Sequence, residues 1–244
     1  MTAVFIILVI AIIVAAIFTI RRGTKTDAVS LLLKTISSLL FILLGIAGIM
    51  FTASEGIALF VVSGLVCGLI GDIFLDLKFV YPKDSDLHTF TGFGAFMLGH
   101  VFYFLYMFFA YQILIPVSKL TTGILIGLAA GVVVAILIYV TPKLMKLDYG
   151  KFRLISSVYA GVLVCVTVNA LYLEVATGHA LCKLLMFIGL VLFLISDLVL
   201  SQIYFGKDKN TTFLKILNHG TYYAGQILIA LSVAFLGGCI AGVI

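Results

Sequence analysis

Eight long runs of apolar residues divide this sequence, and their length constrains the fold more than any other feature. Each run holds about 20 residues, which is the length that crosses the hydrocarbon core of a bilayer as a helix. The predicted spans are Ala3 to Ile20, Ser30 to Phe51, Gly56 to Leu77, Phe90 to Tyr111, Thr121 to Val140, Leu154 to Ala176, Leu181 to Gln202, and Gly220 to Gly242. We therefore expect an all-α, eight-transmembrane-helix bundle in which residues 1–244 form a single integral membrane domain.

The balance of apolar and charged residues supports the same fold class. Apolar residues make up 64% of the chain and charged residues only 10%. A soluble domain has roughly 45–50% apolar and about 25% charged residues, so this chain has too little charge to cover a water-facing surface. The composition argues against a nucleic-acid-binding domain, a secreted disulfide scaffold, and a soluble Rossmann or TIM-barrel enzyme.

The placement of the cations predicts the orientation in the membrane. Thirteen Lys and Arg residues lie beside the odd-numbered loops, and only Lys119 and Lys183 lie beside the even-numbered ones. The thirteen are Arg21, Arg22, Lys25, Lys34, Lys78, Lys83, Lys143, Lys146, Lys151, Arg153, Lys207, Lys209 and Lys215. Short loops rich in Lys and Arg stay in the cytoplasm, so we expect the basic loops inside and both termini outside, in the plasma membrane.

The first span and the cysteines carry no processing or redox signal of their own. No cation precedes the first span, and Arg21 and Arg22 follow it, so it is expected to be a membrane helix and not a cleaved signal peptide. The cysteines lie singly with no C-x-x-C spacing, which favours small packing residues. They are Cys67, Cys165, Cys182 and Cys239.

An internal similarity indicates a duplicated four-helix unit. Leu69 to Leu75 (LIGDIFL) resembles Leu194 to Leu200 (LISDLVL), and Gly92 to His100 is weakly echoed by Thr221 to Gln226. The copies are four spans apart, an even number, so they should share one orientation about an axis along the membrane normal. The predicted halves are residues 1–111 and 119–244.

Two acids and one histidine lie well inside predicted spans, away from their last turn, where an ionisable side chain is costly. A charge at the centre of a membrane helix costs roughly 2.5–3.5 kcal/mol on insertion scales, so such residues are expected to be paired, protonated or in contact with water. Asp72 and Asp197 each lie five residues before the end of a span, and His100 lies deeper. The other polar residues that could line the same cavity are Tyr103, Tyr159, Asn169, Tyr222, Tyr223 and Gln226.

Two further acids lie closer to the predicted interfaces. Asp76 follows Asp72 by one helical turn, and both a solvated position and a place in the site are open for it. Glu174 near the end of span six is expected to face solvent.

The sequence does not favour a metal or a cofactor. A zinc site needs three or four His, Cys or carboxylate ligands, and the predicted spans offer one deep His, two Asp and scattered Cys. The chain has no G-x-S-x-G motif, so an acyl-enzyme mechanism has little support.

Four short motifs in order resemble a known membrane-protein family. They are Gly71-Asp72 with Leu75, Gly99-His100 with Tyr103, Ser196-Asp197 with Leu200, and Tyr222-Tyr223-Ala224 with Gln226. In eight spans of this total length they resemble the lysoplasmalogenase (YhhN-like) family. The resemblance implies a membrane hydrolase that cleaves the vinyl ether bond of a lysophospholipid substrate, giving a fatty aldehyde and glycerophosphocholine or glycerophosphoethanolamine. It also implies that the family's two aspartates are Asp72 and Asp197, its histidine His100, and its tyrosine-glutamine motif Tyr222, Tyr223 and Gln226.

The chemistry of a vinyl ether agrees with these residue types. Its hydrolysis starts with a proton added to the β-carbon, which makes an oxocarbenium-like cation that water then captures. A pair of buried carboxyls can supply one protonated acid and one anion, as two carboxyls do in glycoside hydrolases. The substrate's phosphate would then face the basic loops, where Arg153, Lys151 or Lys78 could attract it.

Two other functions use the same residues. A small transporter built from parallel repeats could carry protons or bind a cation at the intramembrane acids, although its three prolines all lie at span ends. A scaffold or lipid-binding protein without catalysis would tolerate Asp72→Asn together with Asp197→Asn.

Overall fold

The computed structural model describes residues 1–142, 144 and 146–241, and within them eight helices are long and apolar enough to cross a membrane. This confirms the all-α, multi-pass membrane architecture. Lys143 and Gly242, which the sequence assigns to a basic loop and to the end of the last span, lie outside the described residues. The helices are α1 (Thr2–Thr24), α2 (Ala28–Ile49), α3 (Glu55–Val80), α4 (Ser85–Tyr111), α5 (Val117–Val140), α6 (Arg153–Thr177), α7 (Leu181–Phe205), α8 (Thr212–Ser232) and α9 (Leu236–Ala241).

Several helices begin or end in polar segments that the apolar runs do not include. α8 begins eight residues before the predicted Gly220, because the Thr211 side chain caps it by accepting a hydrogen bond from the Leu214 N–H at 3.3 Å. At its other end a short 3₁₀ turn separates it from α9. Hydropathy marks where a helix meets lipid, whereas backbone hydrogen bonds and caps mark where it ends.

Seven of the eight long helices form a closed ring. Along the ring α1 packs on α2, α2 on α3, α3 on α4, α4 on α6, α6 on α7, α7 on α8, and α8 on α1. α5 packs chiefly on α6, outside the ring. Across the interior α8 also contacts α2 and α3, so polar residues on these three helices can meet.

Glycines let the closest helix pairs approach to backbone contact. A Cβ added to Gly189 of α7 would lie 2.9 Å from the carbonyl oxygen of Gly225 in α8, and the reverse distance is 2.7 Å. Gly161 of α6 faces Gly131 of α5 in the same way. Such small residues at crossing points are typical of membrane helices, which associate by close packing.

Most of the helix pairs that pack together have a corresponding pair in the other predicted half. α3–α4 matches α7–α8, α1–α2 matches α5–α6, and α4–α6 matches α8–α2. The α1–α8 contact has a much weaker α5–α4 counterpart, because α5 lies outside the ring. The duplication itself stays a prediction.

Two of the cysteines form a disulfide, so the prediction that all four are packing residues is wrong for this pair. Cys182 at the start of α7 is bonded to Cys239 in α9, with a Cα–Cα distance of 6.4 Å. Cys67 and Cys165 are free thiols. The partners are 57 residues apart in the sequence, and the contact of α9 with α7 brings them together.

Candidate active site

Asp72 lies in the interior of the ring, where α3 faces α2 and α8. Its carboxylate accepts hydrogen bonds from the Ser38 hydroxyl at 2.5 Å and the Tyr222 hydroxyl at 2.7 Å. The Lys34 ammonium lies 3.2 Å from its other oxygen. The side chain is 1% exposed, so a cation and two hydroxyls replace the water that this carboxylate has lost.

Asp76 is buried beside it, and the structure excludes the solvated alternative. One oxygen of Asp76 accepts from Lys34 at 3.0 Å and from Arg22 at 2.9 Å. Asp76 is 2% exposed. Asp72, Asp76, Lys34 and Arg22 therefore form a buried network with two negative and two positive charges, here called the charge network. Buried charges are tolerated when they are paired and hydrogen-bonded in this way.

Arg22 and Lys34, which the sequence pattern places among the cations beside the first basic loop, are buried inside the bundle. Both are 4% exposed, Arg22 in the last turn of α1 and Lys34 inside α2. The sequence does carry a signal for this site. Lys34 lies four positions inside a predicted span, and Ser38 lies one turn further on the same helix face. Neither residue is predicted for the site, because every cation near the end of a span is assigned to a loop.

Asp197 has a different environment. It lies on α7 and accepts a short hydrogen bond from the Tyr159 hydroxyl of α6. In the described ranges no Lys or Arg lies within ion-pairing distance of it. Asp197 and Asp72 each lie eight residues before the end of their helix, about 12 Å along the axis, which agrees with similar positions for the two acids in corresponding helices.

Asp197 lines a cavity of about 300 Å³ between α6 and α7. Most of the lining is apolar, and its polar members include Tyr159, Ser156 and Ser201. Ile195 and Leu198 also line it and are exposed on the outer surface of the bundle, so the cavity borders the membrane. Asp72 is not among the lining residues of this cavity.

His100 lies near Tyr159 within a group of aromatic rings. Its Nδ1 is 2.8 Å from the carbonyl oxygen of Phe96, an atom that only accepts, so Nδ1 carries the hydrogen. Its Nε2 is buried and has no hydrogen-bond partner in the described chain. The ring lies 4.7 Å from the Phe193 ring and 5.9 Å from the Tyr159 ring, measured between centroids.

A chain of three hydrogen bonds leads from Tyr103 of α4 to Asp72. The Tyr103 hydroxyl donates to Gln226 Oε1 at 3.0 Å, and Gln226 Nε2 donates to the Tyr222 hydroxyl at 3.2 Å. Tyr222 in turn donates to Asp72. Each donor points toward the carboxylate, so the chain favours a negative charge at Asp72.

Glycines of α3 make room for this chain. An added Cβ at Gly68 would lie 2.6 Å from Gln226 Nε2, and one at Gly64 would overlap the Tyr103 ring. α3 therefore lacks side chains where the two partners need space.

Replacing Gly64 by Ala is expected to lower the free energy of unfolding by about 1–3 kcal/mol, because the new methyl group displaces the buried Tyr103 ring. Gly56 in the first turn of α3 provides the matched control, since nothing lies within 4 Å of its added Cβ. Gly56→Ala should leave stability unchanged or raise it by up to about 1 kcal/mol. Equilibrium unfolding in detergent checks both variants, and equal effects would contradict the close packing.

An aromatic layer joins the two acid sites. The Phe193 ring lies 5.2 Å from Tyr222, which binds Asp72, and 4.7 Å from His100, which contacts Tyr159. Phe96 packs edge-on against Phe193 and Tyr222. The acids therefore belong to two adjacent sites that meet at shared rings, and each acid has its own partners.

The remaining candidates divide between the site and other places. The Tyr223 hydroxyl donates to the carbonyl oxygen of Lys34 at 3.1 Å and supports the charge network. Asn169 packs against Gly127 of α5 and donates to the carbonyl oxygen of Cys165, so the structure does not bring it to the acids. Glu174 is 3% exposed and bonds His179 at 2.8 Å, so the prediction that it faces solvent is wrong.

The described residues offer no group of three or more His, Cys, Asp or Glu side chains that could hold a metal ion. The groups available for chemistry in this region are carboxyls, phenols, an imidazole and the ammonium of Lys34.

Comparison with known proteins gives one match. The model of the YhhN family matches residues 29–233, which include both acid sites and Lys34 but not Arg22. No curated protein and no solved structure matches the chain.

Proposed function

Because the chain belongs to the YhhN family, we propose that it is a membrane hydrolase that cleaves the vinyl ether bond of lysoplasmalogens. The products would be a fatty aldehyde and glycerophosphocholine or glycerophosphoethanolamine. One observation carries the proposal: Asp197, which has no cationic partner among the described residues, lines a mostly apolar cavity at the membrane border. A single-chain lipid can enter such a cavity with its chain still in the bilayer.

The different partners of the two aspartates support different roles. Asp72 is held as a carboxylate by Lys34 and by two hydroxyl donors. Asp197 has one phenol as its partner, and a carboxyl in an apolar cavity without a cation favours the neutral form. We assign Asp197 as the general acid and Asp72 as the fixed anion.

The reaction then follows from these roles. Asp197 gives its proton to the β-carbon of the vinyl ether, and the π electrons form the new C–H bond. The cation that results on the ether-bearing carbon is stabilised by the ether oxygen and by the carboxylate that Asp197 has become, with Asp72 as a more distant fixed anion. Water adds to this carbon and returns a proton to Asp197.

The second half of the reaction needs only proton transfer. The hemiacetal collapses when its hydroxyl proton passes to the glycerol oxygen through Asp197, so aldehyde and alcohol leave and Asp197 is again protonated. Tyr159 orients the carboxyl throughout, and His100 packs against Tyr159 and fixes its ring. Water is the only other reactant, so the proposed reaction uses no cofactor.

The test is the release of aldehyde from purified protein. Three lysolipids with the same headgroup and chain length are compared: one with a vinyl ether, one with an ester and one with a saturated ether. We expect aldehyde from the vinyl ether alone. Release of fatty acid from the ester, or no aldehyde from any lipid, would contradict the proposal, and the latter result would favour the transporter.

We also propose that the basic ends of the helices face the cytoplasm and that both termini lie outside, in the plasma membrane. The disulfide supports this orientation, because Cys182 and Cys239 lie at the opposite end of the bundle from the charge network. Disulfides persist in oxidising compartments outside the cytoplasm.

A labelling experiment checks the orientation. After mild reduction of intact cells, a membrane-impermeant thiol reagent is expected to label the protein, and Cys239→Ala together with Cys182→Ala should abolish the label. Cys67 and Cys165 remain in that variant and serve as the internal control. Labelling that requires permeabilised cells would contradict the orientation.

A further inference from the structure

A second cavity of about 300 Å³ lies at the basic end of the bundle, and its lining differs sharply from that of the Asp197 cavity. Residues of α1, α3, α4, α7 and α8 surround it. Its cations are Arg22, Lys78 and Lys215, and no Asp or Glu is among its described lining residues. The polar residues that line it are Thr26, Ser85, Thr89, Tyr204, Asn210, Asn218 and His219. We call it the basic cavity.

Two of its cations have no acidic partner. Arg22 uses one nitrogen for Asp76, whereas Lys78 and Lys215 make no ion pair with the described residues. The Lys78 ammonium lies 3.2 Å from the centre of the Tyr204 ring, which holds it in place by a cation–π contact. An anion in the cavity would therefore pair with Lys78 and Lys215 and favour their charged forms.

The basic cavity adjoins the Asp197 cavity. Leu200 and Phe205 of α7 line both. Asn218, in the wall of the basic cavity, donates to the carbonyl oxygen of Ser196 at 2.8 Å and so ties this wall to the residue before Asp197. The two cavities are thus neighbours along one face of α7.

Their spacing suits one lipid molecule. Tyr204, which holds Lys78, follows Asp197 by seven residues, about 10 Å along the helix. In a lysoplasmalogen the vinyl carbon and the phosphorus are joined through the glycerol by a chain of bonds that spans roughly 7–9 Å when extended. A phosphate beside Lys78 would therefore leave the vinyl ether near Asp197.

We propose that the basic cavity binds the phosphate of the lysophospholipid substrate, with Lys78 and Lys215 as its main charged contacts and Arg22 at its inner wall. The inference rests on the proposed function and adds the part of the substrate that the protein recognises. Of the three cations that the sequence suggests for the phosphate, only Lys78 lines this cavity. Lys151 pairs with Asp86, and Arg153 bonds the carbonyl oxygen of Tyr139.

Binding of a lipid that cannot be hydrolysed tests the inference apart from catalysis. The full-length protein in nanodiscs is titrated with a saturated-ether lysophosphoethanolamine, with the matching alkylglycerol that lacks phosphate, and with inorganic phosphate. Lys78→Gln and Lys215→Gln are compared with Lys207→Gln, an exposed loop cation outside the cavity. We expect each cavity variant to weaken lysophospholipid binding about tenfold and to leave alkylglycerol binding unchanged.

The outcomes separate the alternatives. Equal loss for both lipids, or equal effects of Lys78→Gln, Lys215→Gln and Lys207→Gln, would overturn the phosphate site. Inorganic phosphate that binds as tightly as the lysophospholipid would show a site for a free anion and would overturn the lipid assignment. Lipid binding that depends on the phosphate, without any release of aldehyde, would support the phosphate site in the basic cavity and would contradict the proposed hydrolysis.

Discussion

Asp197→Asn is expected to lower kcat/KM for an alkenyl lysolipid by about 10²–10⁴-fold, the contribution typical of a positioned general acid. The amide has the size of the carboxyl and can still accept a hydrogen bond from Tyr159, so the fold should be kept. It has no acidic proton to give to carbon. Initial rates of aldehyde release, measured on protein with an unchanged unfolding transition, provide the test.

Three variants define what the Asp197 result means. Tyr159→Phe should cause a smaller loss, because it removes the group that orients the acid and leaves the acid in place. Asp72→Asn should also lose less than Asp197→Asn, since the account gives Asp72 an electrostatic role. Asp76→Asn keeps Asp72 and Asp197 and removes the other carboxylate of the charge network, so it controls for effects of that network on activity. Full activity in Asp197→Asn would exclude Asp197 as the proton donor.

Lys34→Met is expected to lower the free energy of unfolding by about 3–5 kcal/mol, because breaking a buried ion pair leaves a charge without compensation. Without Lys34, Arg22 is the remaining cation for the two carboxylates of Asp72 and Asp76. Lys25→Met, at an exposed position just after α1, is the matched control and should change stability little. Equilibrium unfolding in mixed micelles measures both.

A double variant distinguishes charge from packing. Lys34→Met with Asp72→Asn removes the carboxylate that Lys34→Met leaves without a cation and keeps the Arg22–Asp76 pair, so it should recover part of the stability that Lys34→Met loses. If the double variant is no more stable than Lys34→Met, the loss comes from the packing of the lysine stem and the charge network does not hold the fold together.

The sequence predicts the membrane architecture because long apolar runs are sufficient evidence for it. Eight helices follow from eight such runs, and the equal distance of Asp72 and Asp197 from the ends of their helices follows from their equal distance to the ends of these runs. Both features are local along the chain. The family resemblance, drawn from four short motifs, is confirmed by the match over residues 29–233.

The features that the sequence does not predict depend on contacts between distant segments. The charge network joins α1, α2 and α3. The place of Lys34 inside a predicted span marks it as unusual, but its partners Asp72 and Asp76 follow only from the packing of α2 against α3. The position of α5 outside the ring turns Asn169 toward Gly127 and away from the acids. The disulfide depends on the packing of α9 against the start of α7, which the apolar pattern of the last span does not show.

Hydrolysis in deuterated water tests the central claim, proton transfer from a buried carboxyl to carbon, most directly. The aldehyde from an alkenyl lysolipid is reduced at once to the alcohol, so that later exchange is prevented, and its deuterium content is read by mass spectrometry. If Asp197 protonates the β-carbon, the wild-type product carries one deuterium on the carbon next to the former carbonyl, formed at a rate that Asp197→Asn strongly lowers. Aldehyde without deuterium at that carbon would contradict this proton transfer.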